Sequence, residues 1–162
     1  MNEELQQAFE ETQFIVHHTP PFTLRIGWHS PELDALLQAT GHSCTAFITA
    51  WNPMCHALDP TENRQRQQLL INELNARNMT ALPGIGQHPN NGWPGEESFL
   101  ILGIQLEEAR ALARKFEQFA FVWAQRNGVA ELITMQTAPP EEVRHERAKT
   151  LPESVESIRN AR

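Results

Sequence analysis

The spacing of apolar and polar positions changes several times along the chain, and each change marks an element. Residues 3–11 are polar except for Ala8 and a stripe of Leu5 and Phe9 at four-residue spacing, which predicts a short N-terminal helix. Phe14-Ile15-Val16 alternates weakly. After Pro20-Pro21, Phe22-Thr23-Leu24-Arg25-Ile26 alternates as a half-buried strand does, so the two segments predict a hairpin. Ser30-Pro31-Glu32-Leu33 then opens a helix with a serine N-cap and a proline at N1. Leu33, Leu36 and Leu37 form its apolar face, and Gly41 stops it.

Thr45 to Trp51 reads as a strand ended by Asn52-Pro53. Asp59-Pro60-Thr61-Glu62 sets a capping carboxylate, a proline at N1 and a glutamate at N3, ahead of Leu70, Ile71 and Leu74 at helical spacing. Followed backward, that apolar face passes through Gln67 to Asn63, which should point inward beneath the Asn52 loop. Met79–Leu82 is a short strand. From Pro83 to Gly95 the chain holds four glycines and three prolines without an apolar period, and it reads as a long loop of the kind that lines a site or is disordered.

Glu96-Glu97-Ser98 feeds the buried strand Phe99–Leu102. Leu106, Ala109, Leu112, Ala113 and Phe116 make the inward face of the next helix, with Glu107 and Glu108 in its first turn and Arg114 and Lys115 in its last, matching its dipole. Ala120–Ala124 and Glu131–Thr134 flank Asn127-Gly128, which favours a type I′ hairpin turn. Two strand–helix–strand passages, 45–82 and 97–124, each read as a right-handed crossover. The resulting expectation is a single α/β (α+β) domain over residues 1–135, a sandwich in which a mixed sheet of about six strands is packed by two to three helices. Residues 136–162 are charged and carry few apolar positions, so a disordered tail is expected.

Composition narrows the function classes. The chain has 162 residues, enough for one core without a metal or disulfide staple. Its net charge of −7 argues against nucleic acid as a broad electrostatic partner, leaving only a local basic site. Apolar runs are strand-sized, and Met1-Asn2-Glu3-Glu4 lacks the features of a signal peptide, so a cytoplasmic protein with no membrane partner is expected. Cys44 and Cys55 are expected as reduced thiols, with no strong case for a catalytic Cys55-His56 pair. The seven histidines show no zinc spacing, so no metal ligand is assigned and no cofactor is specified.

Several polar residues gather where strands and helices meet: Asn52, Asn63 and Arg64, Glu96 and Glu97, and Gln118. Convergence at strand ends suits a ligand. Asn52 also suits a simple turn, and Asn63 needs a partner that a loop carbonyl can supply. Alternation puts Glu96 and Glu97 on opposite faces, so they are not an acid/base dyad; the inward one is expected to pair with Arg64 or Arg25, or else to act as a base or cation ligand. Trp93 reads as a plug beneath the long loop in preference to a stacking wall for a ligand. Pro83-Gly84-Ile85-Gly86-Gln87 is a weak nucleotide signature, and Ser98 has no nucleophile elbow around it.

Thr49-Ala50-Trp51-Asn52-Pro53, Asn63-Arg64, Trp93-Pro94-Gly95-Glu96-Glu97-Ser98 and Phe116-Glu117-Gln118 together resemble the bacterial family called domain of unknown function 3293, over about residues 10 to 135. The resemblance implies a T-A-x-N-P turn, an asparagine opening the next helix, a W-x-x-E-x-S block and an F-G-Q-x-A helix end. It singles out Glu96 over Glu97. Glu117 departs from it where glycine is usual, and Phe119 where a small polar residue is usual, which weakens a ligand role for that corner. The family name implies no activity.

The sequence thus supports a small-molecule or nucleotide-binding domain, with Asn52, Asn63, Arg64, Trp93, Glu96, Ser98 and Gln118 about one cleft under the 83–95 loop. Whether it is an enzyme stays open, and no catalytic residue is assigned. The alternative is a non-catalytic interaction module in which the same residues are structural. Oligomeric state is not specified.

Overall fold

In a computed structural model, which describes residues 1–90 and 92–135, the chain begins with α1 (Glu3–Glu11), the hairpin of β1 (Gln13–Val16) and β2 (Phe22–Leu24), and α2 (Pro31–Thr40). It continues through β3 (Cys44–Thr49), α3 (Pro60–Ala76), β4 (Thr80–Gln87), β5 (Glu96–Leu102), α4 (Leu106–Lys115), β6 (Ala120–Gln125) and β7 (Glu131–Thr134). The tail expected to be disordered lies outside the described residues.

Caps fix the helices where the sequence places them. The Ser30 side chain accepts from Leu33 N–H, Asp59 accepts from Thr61 N–H, and Gly41 closes α2 in the left-handed region at φ 76°. At that end Gly41 N–H donates to Gln38 O and His42 N–H to Leu37 O, and α3 and α4 close on the same paired bonds. Glu117 N–H donates to Arg114 O and Gln118 N–H to Ala113 O at the end of α4, while Asn78 and Met79 do the same to Asn75 O and Leu74 O after α3. This paired closure requires a left-handed residue, here Glu117 at φ 59° and Asn78 at φ 56°.

The strands form one seven-stranded sheet in the order β2-β1-β4-β5-β3-β6-β7. The α+β class and the helix-packed sheet are as the sequence implies, but the sheet is not mixed. Every ladder is antiparallel, and the parallel contact is an isolated bridge between Ile26 and Ala130. The two strand–helix–strand passages explain the difference. β3 and β4 run the same way with β5 between them, and β5 and β6 run the same way with β3 between them, so each crossover steps over one antiparallel strand. The order β4-β5-β3-β6 is that of the ferredoxin-like split βαβ arrangement.

The sheet curls, and its ends are tied together: Gly27 N–H donates to Ala130 O at 2.8 Å and Ala130 N–H to Trp28 O at 3.1 Å. On one face α3 and α4 bury Leu70, Leu74, Leu112 and Phe116 against Ile48, Ile101 and Phe121. The other face carries Phe14, Val16, Phe47, Leu100 and Val122, and α2 covers part of it with Leu33 and Leu37. Phe14 and Phe47 meet edge to face with ring centroids 5.4 Å apart.

Two local expectations are corrected. The long loop begins at His88, because Pro83 to Gln87 belong to β4, a strand paired on both sides. Proline is accommodated because its carbonyl accepts from His17 N–H just past the end of β1, where the missing donor breaks no ladder. Gly84 is required by close approach: a Cβ there would lie 2.5 Å from Ile15 O and 2.8 Å from Phe47 Cε2. The β6–β7 turn is not type I′. Gly128 N–H donates to Gln125 O, with Asn127 at φ 69° while Gly128 is not in the left-handed region, as at the third position of a type II turn.

Candidate functional site

The chain leaves β3 through Ala50, Trp51 and Asn52, and side chains from three elements take up the backbone groups that the sheet no longer pairs. Ala50 N–H donates to Gln67 Oε1 at 3.0 Å, and Arg66 Nε donates to Ala50 O at 2.7 Å. Trp51 N–H donates to Thr49 Oγ1, and Gln118 Nε2 donates to Trp51 O, both at 3.0 Å. Asn52 N–H donates to Asn63 Oδ1 at 2.9 Å. Five successive groups are therefore held without secondary structure, which is how buried irregular backbone is made affordable.

The clamp fixes Asn52 in the left-handed conformation at φ 48°, followed by Met54 at φ 50° and Cys55 at φ 63°. Asn52 Oδ1 accepts from Leu58 N–H at 3.0 Å and from Asn63 Nδ2 at 2.8 Å, while Asn63 Nδ2 also donates to Leu58 O at 3.2 Å. With its oxygen engaged, the Asn52 amide can aim only its nitrogen outward. Nδ2 donates to Glu96 Oε2 at 2.8 Å.

Glu96 opens β5 on the same face as Ser98, Phe47 and Gly86, whereas Glu97 is exposed. The expected ion pair with Arg64 or Arg25 is not formed. Arg64 is exposed on the outer side of α3, and the Arg25 guanidinium sits 5.9 Å from the centroid of the Trp28 ring. Among the described residues no cation pairs with Glu96 and no hydrogen bond occupies its Oε1. Burial accordingly pushes its carboxyl above the ordinary range, and the Asn52 amide offsets only part of that cost. Cys55 is exposed, but partial desolvation at the cavity edge raises its thiol, with the Glu96 charge adding to it.

Glu96 lies on an open cavity of about 460 Å³ at the end of the sheet that α2 leaves uncovered. Leu5, Ala8 and Phe9 of α1 wall one side, and Phe14, Phe47, Val122 and Leu132 line the sheet side. Asn52, Cys55, Ser98 and Gln118 reach it from the clamp, and His88, Trp93 and Pro94 from the loop before β5. Gly86 contributes open space, since a Cβ there would meet Phe14 only at 3.7 Å. Among the described residues no lysine or arginine lines the cavity. Among the described residues no group of three His, Cys, Asp or Glu side chains is placed to hold a metal ion, and no helix is long and apolar enough to cross a membrane.

Of the residues singled out from sequence, Asn52, Trp93, Glu96, Ser98 and Gln118 line this cavity, and Asn63 stands behind Asn52 without reaching it. Arg64 does not reach it. Trp93 is 52% exposed and forms part of the cavity wall, not a plug in the core, because the loop that carries it runs along the surface. Ser98 Oγ donates to Glu96 O at 2.9 Å, a local bond that steadies the start of β5. Sequence reasoning left three clamp residues, Thr49, Arg66 and Gln67, and the whole α1 wall out of the site. The signal for Gln67 was present, since it sits one turn after Asn63 on the same inward face.

These features define an α+β domain with a split βαβ core and a polar corner on a mostly apolar cavity. Residues 48–121, from within β3 to the start of β6, match the model of the family described as Protein of unknown function (DUF3293), so this part of the chain is similar to that family. All four sequence blocks of the resemblance fall inside the match, as do the clamp and Glu96, whereas α1 lies outside it. No curated protein and no solved structure compared with the chain matches it.

Proposed function

We propose that this protein binds a small molecule in the cavity between α1 and the sheet, with Glu96 as its polar anchor. The observation that carries the proposal is a half-buried carboxyl with one hydrogen bond, from an amide held rigid behind it, opening on a cavity of ligand size. Keeping a carboxyl in such surroundings opposes stability unless something else uses it. The mostly apolar lining favours a ligand with an apolar body and a single hydrogen-bonding head. A nucleotide is disfavoured, because its phosphates would enter beside Glu96 and Glu4 with no lysine or arginine among the described residues to meet them.

The structural alternative accounts well for Asn52 and Asn63, whose polar atoms are engaged with one another and with the Leu58 backbone. It does not account for Glu96. A thermal-shift screen of metabolites, nucleotides and divalent metals tests the proposal. A ligand at one hundred times its dissociation constant adds about 2.7 kcal/mol of stability. Hits among neutral or cationic metabolites that are lost in Ala8→Phe, which fills the α1 side of the cavity, support the reading. Absence of any hit, or hits indifferent to Ala8→Phe, refutes it.

A further inference from the structure

We infer that the ligand class of this cavity is an organic amine, a protonated nitrogen carried on a small apolar or aromatic body. The inference rests on the binding role proposed for the cavity and deepens it by assigning charge. Three observations carry it. Among the described residues the lining holds two carboxylates, Glu96 at the inner corner and Glu4 on α1, and no lysine or arginine. Glu96 Oε1 is without a hydrogen bond among the described residues, so an ammonium group has an acceptor waiting for it. The remaining wall is rich in aromatic faces, with Phe9, Phe14, Phe47 and Trp93 among them, and such faces attract a cation as well as an apolar body.

The other charged or titratable groups at the cavity do not reverse this sign. His88, after β4, is 2.9 Å from Glu11, so any positive charge it takes up is matched there. Cys55, after β3, is surface-exposed, and partial desolvation and the Glu96 charge push its thiol up, away from the thiolate. The positive end of α1 faces its own compensation in the Asn2 cap and in Glu3 and Glu4. An ammonium at Glu96 would supply the counter-charge that no described residue provides and draw its carboxyl back toward the ionised form. Amine binding is therefore expected to release a proton from the protein where Glu96 is protonated beforehand.

The test uses the full chain and three probes of one shape: 2-phenylethylamine, 2-phenylethanol and 3-phenylpropionate, at equal millimolar concentration. Thermal shifts and isothermal calorimetry are recorded on the wild type and on Glu96→Gln, an isosteric change that keeps an acceptor for Asn52. The expected result is a rise of about 2–4 °C in Tm with the amine alone, abolished in Glu96→Gln. Calorimetry in buffers of different ionisation enthalpy reads the proton release on the wild type and does not depend on the variant folding. Equal shifts by the alcohol, or a shift by the carboxylate, would overturn the amine assignment while leaving a ligand cavity in place. Amine binding undiminished in Glu96→Gln would overturn the role of Glu96. No response to any probe also overturns the amine assignment, and the broader metabolite screen then decides the fate of the cavity reading separately.

Discussion

Asn52 and Asn63 hold each other twice: the Asn52 backbone N–H donates to Asn63 Oδ1 at 2.9 Å, and Asn63 Nδ2 returns a bond to Asn52 Oδ1 at 2.8 Å. Asn63 is 1% exposed, so water cannot easily replace it. The reciprocal pair joins the exit of β3 to the first turn of α3, and it settles which atom of the Asn52 amide faces Glu96.

Asn63→Ala should therefore cost about 1–3 kcal/mol, since it strands Asn52 N–H and Leu58 O without partners. Urea unfolding, with the slope unchanged from wild type, reads this directly. A loss below about 0.5 kcal/mol would place the pair among dispensable surface contacts.

Glu96 predicts a pH dependence of stability. Its carboxyl is raised from the ordinary value of 4.5 by burial, with the Asn52 amide pulling the other way, so the folded chain holds this proton to higher pH than the unfolded chain does. The contribution is then complete below that ordinary value and is lost as pH rises through the raised one. Glu96→Gln lacks this slope. Its stability relative to wild type should grow above pH 4.5, by about 1.4 kcal/mol for each unit of elevation. Unfolding free energies across the range from about pH 4 to 8 check it, and parallel curves for the two proteins would mean that Glu96 is solvated.

At the end of α4, Glu117 adopts φ 59° in the position that closes the helix. Its side chain gains only a 3.4 Å contact with Arg66 and is itself 61% exposed. Such a pair contributes little, whereas glycine adopts this conformation without the Cβ penalty. Glu117→Gly is expected to stabilise the protein by about 0.5–1 kcal/mol, seen as a Tm increase of a few degrees. A decrease would show that the Arg66 contact outweighs the backbone conformation.

Two glycines of β4, two residues apart on one face, should respond differently to alanine. At Gly84 the new Cβ would meet backbone at 2.5 Å, so the strand must shift, at a cost of about 2–3 kcal/mol or more. At Gly86 the nearest atom is 3.7 Å away, and the change should stay within about 1 kcal/mol. Chemical denaturation of both variants distinguishes them, and equal effects would contradict the close packing of β4 on β1.

Much of this was legible from local chemistry. The caps at Ser30 and Asp59, the inward turn of Asn63 and the separation of Glu96 from Glu97 all follow from helical and strand periods that short segments enforce by themselves. What escaped depended on neighbours far along the chain. Pro83 and Gly84 look like strand breakers in isolation, and they belong to a strand only because β1 ends at Val16 and Phe47 fills the space beside Gly84. Arg66 gave no signal because its shorter bonds go to the carbonyls of Ala50 and Phe116, and its acidic contact, Glu117, lies 51 residues along the chain. The cavity depends on α1 lying over Phe14 and Phe47, and a two-residue apolar stripe does not say what it covers.

The bridges from Ile26 to Ala130 and from His29 to Val129 have a bearing on solubility. A sheet that ended freely at β2 and β7 would offer two rows of unpaired amides and carbonyls to any passing extended chain. Here the continuation of one border strand bonds to the approach of the other, so part of each row is spent within the molecule and the remaining free stretches are short. A substitution that loosens the Gly27 turn would release both borders at once, and self-association through added strands is the failure that such a change would bring.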